Sequence, residues 1–269
     1  MRLLLCSALL AAVCAAQAPN TLTPAEKKAG WRLLFDGHGM TGWQAATADS
    51  WTIEDGCLKS LPGARLRQDL ISTDKFKDFE MTFEWKVAPG SNSGVKYLIQ
   101  DTVLVDPHQM PQPLGGFERQ VAYAMEHRTA KPELVQPKSD AQIYPVAYEY
   151  QVIDDERHPD AKRNPSSRAG ALYRMAAPAQ AAARPVGEFN QGRIVKRGNH
   201  VEHWLNGVKV VDTELDSAEV RAQIESRWPV GHPVCDLLEK MPRAETPVGL
   251  QNHGDVAWFR NIRIRTLAR

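Results

Sequence analysis

Between Phe79 and Val87 the chain alternates without a break: Phe79, Met81, Phe83, Trp85 and Val87 fall on one side, and Glu80, Thr82, Glu84 and Lys86 on the other. A period of two with bulky apolar residues on one side only is the pattern of a strand that buries one face. Shorter runs rich in β-branched and aromatic residues recur in GWRLLFDG, WTIEDGCLKS, VKYLIQ, VAYEYQVID, AGALYRM, GRIVKRGNHVEHWLNGVKVVD, GLQNHG and VAWFRNIRIRTL. Asp55-Gly56 and Asn206-Gly207 sit between such runs, and these dipeptides suit two-residue hairpin turns, in which both central residues need positive φ. Residues 216–228 have helical spacing instead, with Val220 and Ile224 four apart and Asp216 or Ser217 available as a cap; a second short helix is predicted around 236–241. Residues 102–146 are Pro-rich and lack alternation, which predicts a long surface excursion between strands. The sum is an all-β sandwich with a long loop and one or two short inserted helices, in a single domain over residues 19–269 without linker or repeat.

The N-terminus belongs to a different kind of segment. Arg2 is followed by an apolar stretch from Leu3 to about Ala16 and then by small residues, the pattern of a cleavable export signal over residues 1–18. The expectation is a periplasmic or extracellular protein. The stretch is shorter than the ~20 apolar residues that span a bilayer, so an integral membrane protein is not expected. The whole chain has 33 Lys+Arg against 32 Asp+Glu, which leaves no broad basic footprint for nucleic acid. Of the four cysteines, Cys57 and Cys235 lie beyond the signal; they are read either as one disulfide or as two small buried apolar residues. No CxxC pair points to zinc and no GxGxxG to a nicotinamide cofactor.

EYQVIDD, Glu149 to Asp155, is the stretch with the most chemistry. On a regular strand Glu149 and Gln151 share a face and Asp154 takes the other; a bulge between Gln151 and Asp154 would bring all three together. Such a bulged acidic strand resembles the catalytic strand of laminarinase-like glucanases, which are jelly-roll sandwiches. An amide at the middle position departs from their pair of carboxylates.

A wider resemblance covers residues 30–267. GWRLLFDG, WTIEDG, DLIST, DFEMTFEWK, NSGVKY, EYQVIDD with HPDA, GALY, GEFN, VEHWLNG, GLQNHG and FRNIRI follow one another in the order of the 3-keto-disaccharide hydrolase family, the 3-keto-glucoside 1,2-lyase/2-hydroxy-3-keto-glucal hydratase domain. The resemblance implies a concanavalin A-like jelly roll whose concave sheet binds a small carbohydrate already oxidised to a ketone at carbon 3. The ketone acidifies the hydrogen on carbon 2, so a base can form an enolate, the oxygen on carbon 1 can leave, and water can add back. Such a site needs a base near carbon 2, donors for the enolate oxygen and an acid for the leaving group. No organic cofactor is implied, and a divalent metal is left open. NSGVKY and HPDA point to the α-glycoside branch.

On these grounds Glu149 is expected as acid or base, Asp154 as a second carboxylate, Lys96 as base or enolate stabiliser, and His158 as a loop residue within reach of the substrate. Lys96 has strand parity opposite to Val95 and Tyr97, which would aim it into a cleft. Expected substrate contacts are Glu84, Asn92 in NSGVKY, Gln151, Tyr173 in GALY, His203, the pair Gln251 and His253, and Arg260, which shares parity with Trp258 and Ile262. Structural alternatives stand beside several of them: a core histidine for His203, an ion pair for Arg260, a turn cap for Asp154. Trp31, Trp43 and Trp204 are candidates for stacking on sugar. Two other readings predict different sites. A conventional glycosidase would use Glu149 and Asp154 as a catalytic pair. A non-catalytic carbohydrate-binding module would display exposed, coplanar tryptophans.

Overall fold

A computed structural model describes residues 17–268 apart from 45–46, 48, 112–113, 129–140 and 241–244. Most of the expected export signal therefore lies outside the described residues. The chain runs α1 (Pro24–Lys28), β1 (Arg32–Leu33), β2 (Trp51–Glu54), β3 (Cys57–Ser60), β4 (Leu66–Gln68), β5 (Leu70–Ile71), β6 (Phe79–Val87), β7 (Asn92–Val105), α2 (Phe117–Glu126), β8 (Ala141–Ile153), α3 (Pro159–Arg163), β9 (Asn190–Arg197), β10 (His200–Leu205), β11 (Val208–Glu214), α4 (Ala218–Arg227), α5 (Pro233–Lys240), β12 (Gly249–Leu250) and β13 (Ala257–Thr266). One sheet has the order β11-β10-β9-β6-β13-β3-β2, with β1 also on β13; the other has the order β4-β8-β7-β12-β5. The two face each other as a jelly-roll sandwich, and within the sheets only β4–β8 is parallel.

The alternation in β6 is realised residue by residue. Phe79, Met81, Phe83, Trp85 and Val87 are buried and meet an aromatic layer from the second sheet. The Phe83 and Tyr150 rings pack edge to face at 5.2 Å, and Phe79 packs on Tyr97 at 6.3 Å. On the outer face Glu80 accepts from Arg193 Nε (2.6 Å) and Arg265 Nε (2.8 Å). Asp55 and Gly56 have φ of 49° and 69°, and Asn206 and Gly207 have 51° and 83°, so both hairpin dipeptides turn as their composition requires. Helix α4 begins after Ser217, whose hydroxyl accepts from Val220 N–H, and it buries Val220 and Ile224.

Several expectations need correction. Residues 102–146 are not one irregular excursion: β7 continues to Val105, α2 follows, and β8 begins at Ala141. AGALYRM is not a strand but a tight turn, in which Leu172 and Ala176 exchange backbone hydrogen bonds beside β8. β8 is in regular register from Tyr148 to Ile153, so the bulge expected after Gln151 does not form; β7 is bulged instead, between Tyr97 and Asp101, with Leu98 at φ 52°. A second bulge in β13, with Asn261 at φ 52°, turns Ile262 into the core and leaves Arg260 outside with Trp258. Cys57 and Cys235 are both free and buried.

Candidate active site

Lys96 on β7 and Glu149 on β8 are register partners. Their strand neighbours Val95, Tyr97, Tyr148 and Tyr150 point into the core, so strict alternation sends the two charged side chains together to the opposite face of the second sheet. Helix α2 packs on β7 and α5 on β8, α5 packs on both α2 and α4, and the three helices wall a cleft of about 270 Å³. The sheet provides Lys96, Tyr144 and Glu149; the helices provide Phe117, Leu238 and the Arg227-Trp228 pair at the end of α4.

The charges form a chain. Lys96 Nζ lies 2.8 Å from Asp69 Oδ2, and both side chains are 5% exposed. Asp69 occupies the single residue between β4 and β5, and its other oxygen accepts from Asn252 N–H at 3.0 Å. Burial pulls the Lys96 ammonium down, but Asp69 and Glu149 outweigh it and hold its pKa above the ordinary value. Glu149 goes the other way. Burial raises its carboxyl, and Asp69 adds to the rise, against the lowering by Lys96. Glu149 Oε2 accepts from Gln251 Nε2 at 3.2 Å. Gln151, fully buried beneath it, satisfies both its neighbours when its amide nitrogen is turned toward Ser93 O (3.2 Å) and Glu149 Oε1 (3.0 Å). Gly94 makes room for this carboxyl: a Cβ there would stand 2.6 Å from Glu149 Oε1. Gln251 Oε1 is buried with no partner, an acceptor available to a ligand hydroxyl.

The cleft thus brings together Asn92, Lys96, Glu149, Tyr173, Gln251 and His253, with Gln151 beneath the carboxyl. His253 sits toward solvent, 3.7 Å from Asp255. His158 caps α3 through Nδ1, which accepts from Asp160 N–H (3.2 Å), and its ring stands behind that of His253 at 6.4 Å.

Four expected site residues lie elsewhere. Asp154 is buried at the end of β8, its oxygens accepting from the backbone N–H of Gly90 (2.7 Å), Glu156 (3.0 Å) and Arg157 (3.1 Å). Burial raises its pKa, but these donors prevail and hold it below the ordinary range, so it is a turn cap. The Glu149–Asp154 pair of a conventional glycosidase is therefore not assembled. His203 is a core histidine, bonded to Tyr97 OH and to Gly170 O at 3.0 Å each. Glu84 and Arg260 pair at 2.8 Å on the outer face of the first sheet.

The three tryptophans expected to stack on sugar are engaged elsewhere. Trp43 is buried and donates to Leu34 O. Trp31 lies under Arg265, and Trp204 under Arg193 and Lys209. Among the described residues, the grouping with metal-ligand spacing is His200, Glu202 and Asp212. It lies on β10 and β11, where Lys209 already bridges the two carboxylates.

Asp69, Tyr144 and Arg227 are among the cleft residues not expected from the sequence. Asp69 stands in DLIST, one of the ordered motifs, and a lysine aimed into a cleft implies a counter-ion somewhere in the chain. Arg227 ends a helix that was legible, but nothing in the sequence says that this helix walls the cleft.

The profile of a family described as the 3-keto-alpha-glucoside-1,2-lyase-like domain matches residues 30–265. A protein of Bacteroides thetaiotaomicron named 3-keto-disaccharide hydrolase is 32% identical over 258 residues, covering 88% of this chain and 79% of that protein. Among solved structures, a Parabacteroides distasonis protein described provisionally as a glycosyl hydrolase superposes with a TM-score of 0.65 at 25% identity, over 93% of this chain and 100% of the other. A second protein of that organism, with the same provisional description, gives 0.59 at 22% identity over 88% and 99%, a likeness of fold alone.

Proposed function

The chain belongs to the 3-keto-alpha-glucoside-1,2-lyase-like family, and from that premise we propose that it cleaves 3-keto-α-glucosides by elimination and rehydration in the cleft around Glu149. The observation that carries this reading is the placement of Lys96, buried against Asp69, opposite Glu149 in the register of β7 and β8. One group is held cationic beside a carboxyl whose pKa is raised, and the chemistry asks for both at adjacent substrate atoms. The ketone oxygen on carbon 3 accepts from the Lys96 ammonium; Glu149 takes the proton from carbon 2. Negative charge then develops on the oxygen that Lys96 already holds.

In an α-glucoside the hydrogen on carbon 2 and the oxygen on carbon 1 lie on opposite faces, so the departing oxygen takes its proton from a second group. Tyr173 lines the cleft with the Arg227 guanidinium 5.3 Å from its ring, and its phenol fits that role. Elimination leaves a 2-hydroxy-3-keto-glucal, a protonated Glu149, a Tyr173 phenolate and the free aglycone. Rehydration reverses the transfers: water adds to carbon 1 and gives its proton to Tyr173, and Glu149 returns a proton to carbon 2. The net change is hydrolysis of the glycosidic bond. The same proposal places this reaction outside the cytoplasm, on the strength of the N-terminal export pattern.

The test is a matched pair of glucosides, plain and 3-keto, with the enone absorbance followed in time. Cleavage of the 3-keto substrate alone, with transient enone, is expected. Cleavage of the plain glucoside alone, or of neither, overturns the reading. Glu149→Gln is expected to lose activity by at least a hundredfold, in the ~10²–10⁴ range of a positioned acid or base.

A further inference from the structure

Arg227 is the last residue of α4, where a cation complements the negative end of the helix dipole. Trp228 N–H donates to Ile224 O at 2.8 Å and closes the final turn, and the buried Trp228 ring anchors it. The Arg227 side chain lies between two rings, its guanidinium carbon 4.9 Å from the centre of Trp228 and 5.3 Å from that of Tyr173. Its Nε donates to Glu118 Oε1 at 3.4 Å. Among the described residues the two Nη groups have no hydrogen-bond partner. Burial pulls the guanidinium down, but Tyr144, Tyr173 and Glu118 outweigh it and hold its pKa above the ordinary value.

Tyr173 is fixed by the turn that carries it. Its N–H donates to Glu149 O at 3.0 Å, and the next residue, Arg174, takes φ 62° and donates its own N–H to Ser166 O at 2.8 Å. The turn is thus tied to the residue proposed as base. Among the described residues the Tyr173 hydroxyl makes no hydrogen bond, so it is free to meet a ligand. A phenol that gives up its proton in a walled cleft leaves an anion that burial disfavours unless a cation stands beside it. Two other cations line this cleft, and both are engaged: Lys96 with Asp69 at 2.8 Å, and Arg67 with His253 O at 3.3 Å. Arg227 already faces the Tyr173 ring, onto which a phenolate spreads its charge.

We infer that Arg227 is the positioning residue that makes Tyr173 an acid: its guanidinium stabilises the phenolate formed as the aglycone departs. The inference rests on the proposed elimination. The proton passes from the Tyr173 hydroxyl to the oxygen leaving carbon 1, Arg227 keeps its own protons throughout, and the water that adds to carbon 1 returns a proton to the phenolate. Arg227 therefore matters in proportion to the aglycone's need for a proton. An alkoxide leaves only when protonated, whereas 4-nitrophenolate leaves as a stable anion.

The test follows aglycone release from methyl and 4-nitrophenyl 3-keto-α-glucosides. Arg227→Gln is expected to lower kcat/KM about a hundredfold or more on the methyl substrate, the range of a positioned acid, and less than about threefold on the nitrophenyl one. Tyr173→Phe is expected to show the same contrast. The double variant should be no worse on the methyl substrate than Tyr173→Phe alone, because Arg227 acts through Tyr173. Arg227→Lys keeps the charge without the planar fork, so its loss is expected to be smaller and again confined to the methyl substrate. This variant decides the matter if Arg227→Gln does not fold. Equal losses on both substrates make Arg227 a packing residue and overturn the inference, as do losses that multiply in the double variant. If the wild type cleaves neither substrate, the proposed reaction itself has failed and takes the inference with it.

Discussion

Lys96 is a charge where a strand facing solvent on neither side has little use for one. Its ammonium is buried, and it stays charged because Asp69 lies 2.8 Å away and Glu149 opposite. Burial raises the pKa of Glu149, and the charge of Asp69 adds to the rise against the lowering by Lys96. Glu149 must be ionised to act as base, so the acidic limb of kcat/KM should lie above the ordinary carboxylate range. Asp69→Asn removes one of the causes of that rise, so the limb should move to lower pH while kcat falls by about tenfold or more. A variant with lower kcat and an unmoved limb would make Asp69 a packing residue only. Strand parity made Lys96 legible as a cleft residue, because period two depends on the chain alone, whereas Glu149 followed from its place in EYQVIDD. Asp69 was not legible as their partner, since its approach depends on pairing between strands far apart in sequence.

At the scale of elements, the long alternating strands and the two hairpin dipeptides were readable, and the irregularities that aim the site were not. A bulge adds one residue to one strand, and the alternation on either side of it looks normal. Thus unbroken alternation groups Arg260 with both Trp258 and Ile262, whereas the left-handed turn at Asn261 sends Ile262 alone to the core, and Asp154 joins the site only through a bulge that does not form. Two glycines separate function from folding. Gly94→Ala would push the Glu149 carboxyl, 2.6 Å from the new Cβ, off its amide partners. It is expected to lower kcat/KM by about a hundredfold with little change in melting temperature. Gly192→Ala would place its Cβ 2.3 Å from the Phe83 ring in the core. It should destabilise by about 1–3 kcal/mol, with near-normal kcat in the folded fraction. Thermal melts and kinetics on both variants check the contrast.

The whole molecule is two sheets closed over an aromatic core, and polar groups cross that core at His203. From β10 it reaches Tyr97 on β7 and the Gly170 carbonyl. Burial lowers its pKa to about 4, from 6.5. The unfolded chain therefore takes up a proton below about pH 6.5 that the folded protein refuses until about pH 4. The associated stability is present above pH 6.5 and is lost between these values. It amounts to about 2 kcal/mol from pH 6.5 to pH 5. Urea unfolding at the two pH values should show this loss in the wild type and much less of it in His203→Gln. The two-sheet architecture followed from pattern alone, whereas the helical wall of the cleft did not, because α2 lies in a segment without alternation. The central claim concerns one bond, between carbon 2 of the substrate and its hydrogen. Single-turnover cleavage of a 3-keto-α-glucoside with deuterium at carbon 2, timed against the ordinary substrate, tests it most directly. A slowing of several-fold is predicted; equal rates would contradict elimination.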